Sequence, residues 1–234
     1  MISIISTKAG DLITSSLLAD LPGVVHGFGV RGPDAASYLD ALGVADRFIV
    51  KTDQVHGDRV HMLMRPRKGP VLEGDAFISD RPGMVCFVRS ADCVPILMAD
   101  RSGKAVAAIH AGWRGTVRDV AGAAVRAITE TFGTRPKDLV AAIGPRICGG
   151  CYEVGSEVVD SLDKLGLDGG WRGEGRRVDL GVANASLLLR AGLEESSVEV
   201  LPCCTCCDRR FVSWRRDRIE DERQFNFIVV TGES

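Results

Sequence analysis

The sequence predicts one α+β domain spanning residues 1–234. Three observations predict it. Met84 to Val88, Val94 to Met98 and Lys104 to Ile109 are short, dense apolar runs, which buried β-structure explains better than helix does. After His110 the period changes, and Val117, Val120, Ala121, Ala124, Val125, Ile128 and Phe132 fall at helical three-and-four spacing. No internal repeat, low-complexity tract or linker interrupts the chain, so strands and helices share one core.

Taken in order, residues 2–6 and 10–14 alternate as a small hairpin around Ala9-Gly10. Val24 to Val30 is a strand, and Ala35 to Leu42 a short helix stopped by Gly43. Arg47 to Lys51 is a strand candidate. Gln54 to Asp58 turns into a strand at Arg59 to Leu63, and Arg65 to Pro70 is a polar loop. Asp100-Arg101-Ser102-Gly103 closes a hairpin between two of the apolar runs. The helix after His110 has Thr116 as its N-cap, Asp119 as its capping-box acid and Gly133 as its stop. Leu139 to Ile143 is a strand, Val154 to Leu165 a helix, and Asp168 to Gly175 a glycine-rich surface loop. Val182 to Ala191 is a helix, Val198 to Leu201 a strand, and Phe225 to Val230 the closing strand.

A chain of 234 residues with 45% hydrophobic and 26% charged residues is long enough for a full core. A net charge of -2 argues against a general nucleic-acid or anionic-membrane surface. No signal-peptide pattern opens the sequence and no apolar run approaches a membrane span, so a cytoplasmic protein is expected. The eight Cys then read as thiols or metal ligands and not as a disulfide framework.

Cys93 stands at the start of a strand, beside Asp92 and Val94-Pro95, with Pro95 limiting pairing at that edge. A thiol in an apolar stretch is commonly core, whereas a strand end is where scaffolds present functional groups. If the Asp100–Gly103 turn closes a hairpin, Cys93 and His110 share its open end. They could act as nucleophile and base, or both could bind a metal completed by a third residue. With only His26, His56, His61 and His110 in the chain, His56 is the available third ligand, in a turn beside Gly57. His61 alternates within a strand and reads as structural or surface.

Gly112 and Gly115 allow close backbone approach, and Arg114 near a helix N-terminus is suited to an anion or merely caps a loop. Trp113 could stack on a flat base or simply be buried. Cys203-Cys204-Thr205-Cys206-Cys207 holds two overlapping C-x-x-C pairs. With Cys148-Gly149-Gly150-Cys151 it would supply a four-thiolate structural zinc site, although the two stretches lie in different contexts and no His supports them. A redox role for one C-x-x-C pair is the other reading.

Six motifs occur in order: Gln54-Val55-His56-Gly57, Gly74-Asp75-Ala76, Ala91-Asp92-Cys93, His110-Ala111-Gly112-Trp113-Arg114-Gly115, Ile143-Gly144-Pro145-Arg146-Ile147, and the tail Cys203 to Arg216. From about residue 24 onward the chain thereby resembles the bacterial YfiH family, once labelled multicopper polyphenol oxidase or laccase. It departs from the family pattern at Gly29 to Pro33, which is shortened, at Ser90, where Thr is frequent, and in its denser tail cysteines.

The resemblance implies an α/β sandwich with mixed sheets, and a purine nucleoside enzyme. Such proteins phosphorolyse adenosine, inosine and S-methyl-5'-thioadenosine, with adenosine deaminase activity beside it. Family metal ligands carry over to His56, Cys93 and His110. Zinc with an open fourth position is expected, where an activated water would attack the amino-bearing carbon of adenosine. The Cys and His donors suit copper as well, but four His are too few for a multicopper oxidase centre. By motif position, Arg114 and the following helix N-terminus are candidates to hold phosphate, and Arg146 is another. Asp75 is placed to orient a ligand His or a sugar hydroxyl. The expected partners are purine nucleosides and phosphate, not nucleic acid or membrane. The rivals are a metal-free cysteine hydrolase using Cys93 and His110, and a non-enzymatic metal-binding protein.

Overall fold

The computed structural model describes residues 3–44, 47–50, 52–65 and 71–232. In chain order the strands are β1 (Ser3–Thr7), β2 (Gly10–Thr14), β3 (Val24–Gly29), β4 (Phe48–Ile49), β5 (Thr52–Asp53), β6 (Val60–Met62), β7 (Leu72–Glu73), β8 (Ala76–Ser79), β9 (Met84–Ser90), β10 (Val94–Asp100), β11 (Val106–Ala111), β12 (Leu139–Ile143), β13 (Val198–Val200) and β14 (Gln224–Val230). The helices are α1 (Ser16–Ala19), α2 (Ala35–Ala41), α3 (Trp113–Val117), α4 (Val120–Phe132), α5 (Ser156–Asp163), α6 (Leu180–Arg190) and α7 (Trp214–Asp217).

The strands form two mixed six-stranded sheets, β1-β2-β3-β14-β9-β4 and β13-β12-β10-β11-β8-β6, with β5 and β7 paired separately. Most pairings are antiparallel; β12/β13, β4/β9, β6/β8 and β5/β7 are parallel. The period-two alternation of side chains explains the layering. In β10, Leu97 and Ala99 point between the sheets, where they meet Cys86 and Val88 of β9 and Phe28 of β3. Ile96 and Met98 point the other way, onto Ala121, Val125 and Ile128 of α4 and Leu187 of α6. In β9, Val85 and Phe87 turn outward to Tyr38 and Leu39 of α2. The result is helix, sheet, sheet, helix, with both central sheets covered on two faces, which is why their strands read as continuous apolar runs.

The helix expected after His110 is two helices. Asp119 adopts a left-handed conformation (φ 59°) and its side chain caps α4 by accepting from the Gly122 N–H. Thr116 is therefore not an N-cap: it lies buried inside α3, and its hydroxyl accepts from Asn184 Nδ2 at 2.9 Å. Gly112 occupies the N-cap of α3. The strand expected at Arg47 to Lys51 is confined to Phe48–Ile49, with Lys51 outside the described residues, as are 66–70 of the polar loop. Trp171 is 2% exposed and anchors the glycine-rich loop to the helical layer. Pro95 does not mark a sheet edge. It pairs with His110 inside the sheet, one residue beyond the β12 ladder, which begins at Ile96 opposite Ile143.

Candidate active site

The β10–β11 register sets Val94 opposite Ala111 and Pro95 opposite His110. Cys93, just before β10, and His110, near the end of β11, thus reach the same rim of the second sheet. His56 arrives from the loop after β5. One donor atom from each of His56, Cys93 and His110 lies within 4.8 Å of the others. The two imidazole rings meet edge-to-face, with centroids 4.9 Å apart.

Two strained turns present these groups. His56 (φ 59°) and Asp92 (φ 83°) both hold left-handed backbone, which is costly for a side-chain-bearing residue and is kept only where surroundings enforce it. Asp75, fully buried, enforces the first: its carboxylate accepts from the N–H groups of Val55, His56 and Gly57 at 3.2, 3.0 and 2.7 Å. Gln54 fastens the same loop to β9, donating to the Arg89 carbonyl and accepting from the Arg89 N–H, both at 2.7 Å. Asp92 is held from the tail. Its carboxylate accepts from Thr205 Oγ1 and from the Arg215 N–H, each at 2.6 Å.

Asp75 also meets His110 Nδ1 at 2.8 Å. That hydrogen bond places a proton on Nδ1 and turns Nε2 toward the site, the orientation found in carboxylate–histidine–metal arrangements. Burial by itself pushes the Cys93 thiol up, but the His110 charge and hydrogen bonds from both imidazoles outweigh it and bring its pKa down to about 6. Burial by itself lowers His110, while the Cys93 charge and Asp75 raise it to about 9. Cys86, buried with no such neighbours, is raised by burial alone. These neighbours favour the thiolate of Cys93, the form that binds metal or attacks carbon.

Gly112 is needed for space. A Cβ there would stand 2.9 Å from His56 Cδ2 and 3.1 Å from Cys93 Sγ. Two nitrogens and a thiolate, with the carboxylate behind one imidazole, could hold a metal ion. The other two His are committed elsewhere. His26 Nε2 accepts from the Ser15 N–H, and His61 bonds the Glu73 carbonyl and stacks on Phe77.

A cavity of about 1410 Å³ opens over the three donors. Tyr152 and Trp214 supply its aromatic surface, and its charged lining is mixed: Arg89, Arg176, Arg215, Arg218 and Arg223 stand with Asp53, Asp92, Glu153, Glu157, Glu220 and Asp221. The phosphate candidates expected from motif position do not line the cavity. Arg114 is exposed, stacked over Trp113 at 4.4 Å and outside the cavity lining; α3 is only five residues long. Arg146 is 6% exposed and donates to the carbonyls of Leu201 and Gly144. A Gly-Pro-Arg loop does not reveal which way its arginine turns, and this one turns inward. Trp113 packs on the core beneath α3. The lining residues to which sequence reasoning gave no role are Gln54, Tyr152, Trp214, Arg215 and Arg223. Tyr152 and Arg215 touch, guanidinium over ring at 5.3 Å, through a pairing no local signal announces.

Residues 34–231 match the model of the family described as multi-copper polyphenol oxidoreductase laccase. The chain belongs to this family. A protein from Deinococcus radiodurans named purine nucleoside phosphorylase is 38% identical over 191 residues, covering 80% of this chain and 72% of that one. A protein from an unknown prokaryotic organism, named adenosine deaminase RL5, is 35% identical over 220 residues, covering 84% and 83%. The crystal structure of the Bacillus licheniformis hypothetical protein YfiH superposes with a TM-score of 0.81 at 28% identity, covering 97% of each chain.

Proposed function

We propose that residues 1–234 act as one catalytic domain, a zinc-dependent purine nucleoside phosphorylase with adenosine deaminase activity beside it. The observation that carries this reading is the convergence of His56, Cys93 and His110 in a cavity whose lining also offers aromatic rings and arginines. The names of the relatives support purine nucleosides as the substrate class.

His56 Nε2 or Nδ1, Cys93 Sγ and His110 Nε2 would hold the metal. When bound, zinc supplies a Lewis acid that polarises oxygen or nitrogen at the reacting centre. The chain's own part is positioning. Asp75 keeps His110 in one tautomer and pins the His56 turn. Tyr152 and Trp214 offer π-faces to a purine. Arg215 and Arg223, in place of Arg114 and Arg146, would hold phosphate beside the ribose. In phosphorolysis the C1'–N bond breaks, a C1'–O bond to phosphate forms, and the purine leaves carrying the bonding pair. Fixing the anion against a cation-like sugar is where such a site gains most. In deamination, water adds at the amino-bearing carbon and ammonia leaves.

A multicopper centre does not fit, because two of the four His are spent on Ser15 and Glu73. One second reading has a specific observation behind it. Cys93, His110 and Asp75 also form a nucleophile–base–orienter series that could act without metal. Among the described residues no helix is long and apolar enough to cross a membrane.

The test is a panel of adenosine, inosine and S-methyl-5'-thioadenosine, with and without phosphate, using protein of known metal content. Free base with ribose 1-phosphate (or its methylthio counterpart) should form only with phosphate, and inosine from adenosine without it. Neither product from metal-replete protein would defeat the nucleoside reading.

A further inference from the structure

Four cysteines outside that site come together. Cys148 and Cys151 lie in the loop after β12, Cys204 and Cys207 in the tail after β13. Their four Sγ atoms all lie within 4.8 Å of one another, with Cys151 and Cys207 at 3.3 Å. In a tetrahedral zinc–thiolate site with Zn–S bonds of about 2.3 Å, neighbouring sulfurs stand about 3.8 Å apart. That value lies between the 3.3 Å contact and the 4.8 Å limit that contains all four.

The backbone is arranged to match. Each pair is a C-x-x-C turn: the Cys151 N–H donates to the Cys148 carbonyl at 2.9 Å, and the Asp208 N–H to the Cys204 carbonyl at 3.0 Å. The turns face each other because Arg146 and Cys204 form a parallel bridge, with the Arg146 N–H on the Cys203 carbonyl and the Thr205 N–H on the Arg146 carbonyl. The Cys148 N–H donates directly to Cys204 Sγ at 3.3 Å, a contact that favours thiolate. None of the four is core: three are half-buried and Cys207 is exposed, so apolar packing does not account for them.

We propose that Cys148, Cys151, Cys204 and Cys207 bind a second zinc ion, distinct from the one at His56, Cys93 and His110. With all four positions filled by protein, it is a structural site with no place for substrate. Binding releases the thiol protons to solvent and changes no oxidation state.

The ion would clasp the two segments that wall the cavity. The loop carrying Cys148 and Cys151 runs straight into Tyr152 and Glu153, and the tail carrying Cys204 and Cys207 leads to Trp214 and Arg215. Thr205, between the tail cysteines, bonds Asp92, whose left-handed turn presents Cys93. The clasp is therefore a positioning device for the catalytic rim.

The test is metal analysis of the full chain purified under reducing conditions, with cobalt(II) substitution. Wild type should carry two zinc per chain, and His56→Ala should keep one. Cys151→Ser/Cys207→Ser should also keep one, at the other site, and should lose the intense absorption of four-thiolate cobalt along with thermal stability. Should that double variant not fold, the wild-type cobalt spectrum and the zinc retained by His56→Ala still decide. A wild type with one zinc that His56→Ala abolishes, a cobalt spectrum without four-thiolate character, or intact mass showing disulfides among these cysteines under the same conditions would overturn the proposal. None of these results depends on nucleoside turnover.

Discussion

Asp75 Oδ1 lies 2.8 Å from His110 Nδ1 while the same carboxylate caps the backbone of the His56 turn. One buried side chain thus orients two donors that are far apart in sequence. Asp75→Asn keeps the size but replaces an acceptor with a donor facing these N–H groups. Zinc affinity at this site, read by chelator competition, should fall about 10- to 100-fold. Unchanged affinity would mean that Asp75 serves the fold alone.

Gly112→Ala should impair the same site by crowding. The backbone there (φ -71°) accepts a side chain, but the new Cβ would press on His56 and Cys93. Zinc affinity should drop about 10-fold or more, with only a small change in thermal stability. A variant with normal zinc binding and normal activity would show that the rim relaxes.

The two arginines at issue should separate by what they damage. Arg146→Ala removes a buried guanidinium from the Leu201 and Gly144 carbonyls and from Asp179 at 3.6 Å. It should cost about 3 kcal/mol of stability in urea unfolding. Arg215→Ala should instead raise the KM for phosphate. The reverse pattern would restore Arg146 as the anion site.

His26 gives the fold a pH dependence of its own. Burial lowers it from 6.5 to about 4, with Glu199 opposing, and its Nε2 accepts from the Ser15 N–H in the neutral form. Above pH 6.5 both folded and unfolded chains carry it neutral. Between pH 6.5 and 4 only the unfolded chain takes up the proton, so stability falls with pH, by up to about 3 kcal/mol. Urea midpoints across that window should fall less in His26→Gln, itself less stable at pH 7. An equal slope in both proteins would remove His26 as the cause.

The rim was legible in the sequence because it is local. A turn at Asp100 to Gly103 between two apolar runs requires that Cys93 and His110 share one end, and the register bears this out. The mixed strand and helix content and the sandwich followed from dense runs and from the six motifs. What escaped was conformational or non-local. The left-handed backbone at Asp119 splits the helix after His110, and spacing alone carries no trace of it. The inward turn of Arg146 and the cavity wall of Tyr152, Trp214 and Arg215 depend on the tail pairing with the loop after β12, more than fifty residues earlier. The alignment of the two cysteine stretches rests on the same bridge, which is why they read as separate contexts.

The most direct test of the account is the phosphorolysis of adenosine by His56→Ala. His56 is exposed, so the variant should fold. If His56 completes a metal site with Cys93 and His110, formation of adenine and ribose 1-phosphate should fall by more than about 100-fold. Wild-type rates in folded His56→Ala would contradict the account and leave Cys93 and His110 to act without the metal.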